Sequence, residues 1–464
     1  MIKHMAFCTR TLLVLSVFVG IFTAEGQQLT AFQLRGLTQR NNLNPAAMPS
    51  GTVQFGVPFF SGIGFNFTNN GFAYNDLLRR SADDSLVLDP ENAISKMQTR
   101  NRMALDLEID WFTFGIRAGK NHFGLNITEK ANVSFVYSKS LIEYLYFGNA
   151  PTMGTIQNLN PGIEANHYRE YGFNWARNWT RYLTSGIRFK YLYGMEHIHS
   201  SGSGLNIYTD PNDFTITANS NFGIYTSGTD SSSFKDFSFS EYALGKPNKG
   251  MAIDLGLIVR PIDQIEIALS VLDIGSIHWN ANNTNYTTHS HNGDFIYQGI
   301  NLNEFVNNDS TSAEEYLTNL VDSLYESFDV QTTHETFKSR LPRQMIVSAS
   351  YLLGTKYRAG FVVRNKKIIE QSYTDYQFSF SGMTGKWLTY TFAINKINQT
   401  KASIGSGITV NFKNDQIYFV TDNLPVLFSW RKSQNTGFRA GINIIFGRNP
   451  KPLTPPQPVI PPAN

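Results

Sequence analysis

The sequence predicts an all-β fold, a transmembrane antiparallel β-barrel of about 14 strands. Three observations predict it. Apolar and polar residues alternate with period two from Val53 to the last strand, the pattern of strands with two different faces. No stretch beyond the N-terminal leader holds the roughly 18 uninterrupted apolar residues that a spanning helix needs, so a membrane crossing here uses strands. The connections between runs are short and long by turns, as in a barrel with tight turns at one end and large loops at the other. Composition agrees: aromatics reach 14% and charged residues only 16%, against a soluble average of roughly 25%.

Residues 1–26 read as a signal peptide. Lys3 and Arg10 give a positive start, Thr11 to Thr23 is the apolar run, and Ala24-Glu25-Gly26 offers small residues for cleavage before Gln27. The only cysteine, Cys8, lies ahead of the apolar run, so the expected mature chain has no disulfide, thiolate metal site or cysteine nucleophile. Its formal charge is about +2, which gives no electrostatic case for a nucleic-acid partner.

The barrel is expected over 53–447. Its strands are read at 53–67, 102–118, 121–136, 168–177, 182–198, 248–260, 263–278, 339–353, 356–367, 372–383, 386–396, 401–413, 415–422 and 436–446. The last shows the pattern most plainly, with Phe438, Ala440, Ile442, Ile444 and Phe446 on one face and Arg439, Gly441 and Asn443 on the other. Connections after even-numbered strands are tight, such as Gly119-Lys120-Asn121 and Pro261-Ile262. The long ones, 68–101, 137–167, 199–247 and 279–338, all follow odd-numbered strands. A soluble sandwich has no reason to keep that parity. An outer-membrane barrel with both termini periplasmic keeps it throughout.

Two strands lose phase. In 102–118 the apolar set shifts after Trp111, which predicts a bulge there, and in 263–278 register is lost at Leu272-Asp273-Ile274-Gly275. Among the loops, 140–147 and 313–328 have helical spacing. The residues 448–464 crowd seven prolines and read as an extended periplasmic tail.

No enzyme chemistry is legible, and no cofactor or metal is expected. The His289-Ser290-His291 pair is an incomplete ligand set, His197 and His199 read as rim residues, and Asp210-Pro211-Asn212-Asp213 lacks the rest of a calcium loop. The lumen face is charged. Asp106, Glu108 and Asp110 line one strand with Lys130 expected opposite Asp110, and Arg188, Lys190, Arg358, Arg364 and Arg439 point inward as well, the pattern of a braced or plugged interior.

The segment Asn41-Asn42-Leu43-Asn44-Pro45-Ala46 resembles the Asn-Pro-Ala element of the long-chain fatty-acid transporter (FadL-like) superfamily. A wider set resembles an uncharacterised family of such barrels: Gly148-Asn149-Ala150, Asp254-Leu255-Gly256, Asp273-Ile274-Gly275-Ser276-Ile277-His278-Trp279, Thr421-Asp422-Asn423 and the closing Arg439 to Gly447. The resemblance implies that 27–52 is a hatch inside the barrel, with Asn44, Pro45 and Ala46 as its signature, and that Asp273, Ile274 and Gly275 form a candidate wall kink. It implies a barrel in outer-membrane lipid that binds or passes a small hydrophobic ligand. The alternative is a secretion-associated, type IX-like, or structural barrel that binds a protein partner through its long loops or proline tail.

Overall fold

The computed structural model describes residues 29–81, 83–229, 248–288, 295–297, 328–368, 371–397 and 399–448. The signal peptide, the His289 to His291 pair, the helical stretch 313–328 except its last residue, and the tail beyond Arg448 lie outside them.

Fourteen strands form the wall. In chain order they are β1 (Val53–Gly56 and Gly62–Asn69), β2 (Arg100–Ala118), β3 (Asn121–Ser138), β4 (Gly162–Asn178), β5 (Leu183–Thr209), β6 (Asn248–Val259), β7 (Ile265–Trp279), β8 (Gln344–Leu353, prolonged by Phe337–Arg340), β9 (Tyr357–Ile368), β10 (Gln371–Thr384), β11 (Leu388–Lys396), β12 (Ser403–Phe412), β13 (Asp415–Thr421) and β14 (Asn435–Phe446). Each pairs antiparallel with its neighbour in sequence. The barrel closes because β1 pairs on both sides, Val53 facing Ile116 of β2 and Phe446 of β14. Closure leaves no wall edge without hydrogen-bond partners, a condition for crossing a bilayer with strands.

The alternation read from the sequence becomes inside and outside. Along β8, Gln344, Ile346, Ser348, Ser350 and Leu352 are buried while Met345, Val347, Tyr351 and Leu353 are exposed. The outer face carries large apolar side chains on strand after strand, among them Phe189, Phe361, Phe378, Phe392 and Ile404. Apolar groups face outward and polar ones inward, the inverse of a soluble barrel.

Several expectations need correcting. The first strand is interrupted at 57–61, since Pro58 brings no N–H to the ladder and Phe59 takes φ 66°. Lys130 stands opposite Glu108, not Asp110, because the turn is the two residues Gly119-Lys120, with Ala118 facing Asn121, and the bulge at Trp111 shifts the β2–β3 register by one more position between Asp110 and Phe112. The stretch 199–247 does not begin as a loop. Strand β5 continues to Thr209 and pairs with a returning strand, Ile216–Ser227, which carries short strands from 283–287 and 295–297 beyond the wall. His197 and His199 are not rim residues. A register shift at His167/Tyr168 turns them inward, where His197 stacks on Trp279 at 4.8 Å and His199 on Tyr225 at 4.8 Å. The helix expected at 140–147 is present as Lys139–Phe147, its N-terminus capped by Ser138 Oγ accepting from Leu141 N at 3.0 Å.

Candidate functional site

Residues 29–50 run inside the barrel and hold two short helices, α1 (Leu29–Gln33) and α2 (Arg40–Leu43). The turn between them passes through Gly36 at φ 78°, a backbone region that favours glycine. Asp422, just past β13, receives the start of α1: its carboxylate accepts from Leu29 N and Thr30 N at 2.8 Å each and from Thr30 Oγ1 at 2.5 Å. An anion placed there answers the unpaired N–H groups of the first turn. Further along, Gln39 Nε2 donates to Ser61 O at 2.6 Å and to Asn443 Oδ1 at 2.9 Å, and Ser270 Oγ donates to Leu43 O at 2.8 Å.

The Asn44-Pro45-Ala46 turn is held by its own asparagine. Asn44 Oδ1 accepts from Ala46 N at 2.9 Å while Asn44 Nδ2 donates to Leu269 O of β7 at 3.3 Å. The turn lies flat on two wall glycines. A methyl group added at Gly186 would come within 2.3 Å of Pro45 C and O, and one at Gly256 within 2.2 Å of Asn44 Oδ1. Glycine is needed at Gly186 because backbone meets backbone, and at Gly256 because Asn44 Oδ1 and Ala46 N stand where a side chain would go.

The apolar side of the segment sits on an apolar stripe of the inner wall. Leu29, Phe32, Leu34, Leu37 and Leu43 share one buried cluster with Ile258, Ala268, Leu272, Ile346, Val362 and Val420. Beyond this stripe lie layers of ion pairs and a second buried apolar cluster of Tyr168, Leu192, Ala252, Ile277, Trp279 and Leu341. Lys190 Nζ is 2.7 Å from Asp273, 2.8 Å from Asp254 and 3.4 Å from Glu170, which also holds Lys130 at 2.9 Å. Arg439 bridges Glu108 at 2.8 Å and Asp110 at 2.5 Å, and Arg364 pairs with Asp375 at 2.7 Å. All of these side chains are buried, and buried charges hold their ionised forms only when paired in this way.

At the phase break in β7, Asp273 takes φ 60° and its N–H donates to Asp254 Oδ1 at 2.7 Å. Ladder pairing with β6 resumes on both sides of the break, at Ile253–Ile274 and Leu255–Val271. On the other side Leu272 pairs with Gln344 and Leu341 N donates to Gly275 O at 3.1 Å. The break is a bulge in a closed wall. Ile274 faces outward, and Gly275 has no room for a side chain, a methyl there lying 2.2 Å from Met251 O.

A family model described as a family of unknown function (DUF5723) matches residues 45–422. The chain belongs to that family. A search of the curated proteins finds none that matches this sequence. Among solved structures, the DUF5723 chain is similar to the Ralstonia pickettii toluene transporter TbuX, at 10% identity over 92% of this chain and 100% of that one, with TM-score 0.42. It is similar to the Pseudomonas putida toluene transporter TodX, at 9% identity over 91% and 97% with TM-score 0.40. A Pseudomonas aeruginosa FadL homologue gives 8% identity over 92% and 99% with TM-score 0.41.

The residues singled out from the sequence of this DUF5723 protein stand on one side of the lumen without direct hydrogen bonds between the two groups among the described residues. They are joined through residues that were not singled out for this. Arg188 of β5 donates to Asn41 O at 2.8 Å and lies 3.6 Å from Asp254, which in turn holds the Asp273 N–H. Asp422 stood in the sequence inside a short motif, and Gly186 on the polar face of a strand. Neither carried a signal of its role, because each role depends on a segment some 393 or 141 positions away in the chain. Among the described residues no group of three or more potential metal ligands is brought together.

Proposed function

We propose that this protein is an outer-membrane barrel of a Gram-negative bacterium that binds and passes a small hydrophobic compound, with residues 27–52 acting as its hatch. The observation that carries the reading is the apolar stripe. Beside the ion pairs and amides of the interior, the inner wall keeps an apolar surface that the hatch's own leucines and Phe32 cover, whereas the second buried apolar cluster, around Leu192, Ile277 and Trp279, is filled by wall residues alone. A segment that moved off this surface would leave a site suited to an apolar ligand, since such sites are apolar concavities with few polar groups. The hatch thus stands where the cargo would stand. The bulge at Asp273, Ile274 and Gly275 is the proposed point at which the wall yields to let cargo leave sideways. The closed parity of turns and loops and the outward apolar belt support the membrane location.

The test is binding of 1-N-phenylnaphthylamine, which fluoresces in apolar surroundings, to the full chain and to a chain lacking 29–43, both folded in detergent. The reading expects a saturable lumen site that appears or tightens at least about tenfold when the hatch is removed. Weak, equal binding to both would sink it. That result would move attention to the opposite end, where Phe428 is 86% exposed beside Trp430 and Leu86, a surface suited to a protein partner.

A further inference from the structure

The short-turn end of the barrel gathers more positive charge than its carboxylates answer. Glu266 of β7 is buried and faces four arginines: Arg260 at 2.9 Å, Arg40 at 3.0 Å, Arg358 at 3.1 Å and Arg35 at 3.8 Å. Two come from the wall and two from the N-terminal segment. One carboxylate against four guanidinium groups leaves three charges over. Arg35 makes no hydrogen bond among the described residues, and Arg358 Nε is buried without a partner.

A cleft of about 310 Å³ opens beside this cluster, lined by Lys120, Asn178, Thr180, Arg181 and Arg260. Backbone bonds fix its walls. Asn178 N donates to Lys120 O at 2.9 Å, and Arg260 N donates to Tyr182 O at 2.7 Å, so three tight turns are tied together around it. Three of the five lining side chains are cationic and two are neutral donors. None is acidic. Arg260 belongs to both the cleft and the Glu266 cluster.

From this geometry we infer that the short-turn mouth is an oxyanion-binding site for a phosphate group, formed by Arg260 with Lys120 and Arg181 in the cleft and backed by Arg35, Arg40 and Arg358. Guanidinium forks match phosphate oxygens two at a time, and a group carrying up to two negative charges answers the excess better than a single carboxylate. Asn178 and Thr180 supply uncharged donors to the remaining oxygens. Arg35 and Arg40 of the N-terminal segment do not line the cleft but share Glu266 with Arg260, so an anion on Arg260 is coupled to that segment through Glu266. The inference stands on the arginine geometry, whether or not the barrel passes a hydrophobic compound.

The test is equilibrium dialysis of inorganic phosphate against the full-length chain, folded in an uncharged maltoside detergent. Arg260→Gln and Arg181→Gln are compared with Lys96→Gln at the far end. Glu266 keeps three arginines in the Arg260→Gln variant, and a heat-modifiable gel shift verifies that each barrel is folded. Saturable binding is expected, weakened about tenfold by Arg260→Gln, a few-fold by Arg181→Gln and not at all by Lys96→Gln. A parallel arm uses short-chain phosphatidic acid. Binding of that lipid alone, with the same sensitivity to Arg260→Gln, identifies the phosphate as a headgroup, whereas binding of inorganic phosphate identifies a free anion. The inference is overturned if neither binds saturably, or if binding survives Arg260→Gln and Arg181→Gln together.

Discussion

Asp422 concentrates much of the seating of the N-terminal segment in one side chain. It accepts three hydrogen bonds from Leu29 and Thr30 and lies buried, so its removal takes the acceptor from the Leu29 and Thr30 N–H groups and leaves Thr30 Oγ1 only its bond from Gln377. Loss of an N-terminal cap costs about 0.5–2 kcal/mol, a shift of roughly 2- to 30-fold in the released population. Asp422→Ala should therefore raise the rate of tryptic cleavage at Arg35 and Arg40 by that order, while the barrel keeps its heat-modifiable gel shift. Unchanged cleavage would show that the segment is held elsewhere. The glycines act in the opposite sense. Gly186 and Gly256 make room for the Asn44-Pro45-Ala46 turn by lacking a side chain, and such a role leaves no mark in a sequence except a glycine among many.

At the scale of elements, β5, β6 and β7 form the part of the wall that connects the segment to the bulge. Lys190 is the centre of that connection, since it answers Asp273 and, with Arg188, Asp254, while sharing Glu170 with Lys130. Replacing it with Met removes one buried cation and leaves two carboxylates facing each other across the bulge. Breaking a buried pair from one side typically costs about 3–5 kcal/mol. Lys190→Met should lower the thermal unfolding midpoint clearly, and Lys190→Met with Asp273→Asn should recover part of the loss. An additive pair of effects would mean that the two groups do not interact. The bulge at Trp111 and the break at Asp273 were both legible as a change of phase in the apolar pattern. What such irregularities do to pairing was not legible: the two-residue turn and the bulge at Trp111 together moved Lys130 two positions, from Asp110 to Glu108, and the register shift at His167/Tyr168 turned His197 and His199 into the interior.

For the whole molecule, the barrel was readable because lipid imposes a strict period of two and because turn length alternates with strand parity. Strand ends were less so. Strand β5 runs on past the membrane-length stretch to Thr209, since pairing with 216–227 outside the bilayer follows ordinary sheet rules that set no length. The seat of residues 29–50 was not readable from alternation at all, because it is made by contacts between one end of the chain and nearly every strand. Those contacts suggest the most direct test of a movable hatch. A methyl group on Gly405 would lie 2.5 Å from Thr30 Oγ1, close enough for Thr30→Cys and Gly405→Cys to form a disulfide. Cys8 lies in the expected leader, so the mature variant should carry no competing thiol. The measurement is uptake of a small hydrophobic compound by liposomes holding this variant, oxidised and then reduced. The account predicts that uptake falls to background when the bond is closed and returns on reduction; uptake that is equal in both states would contradict it.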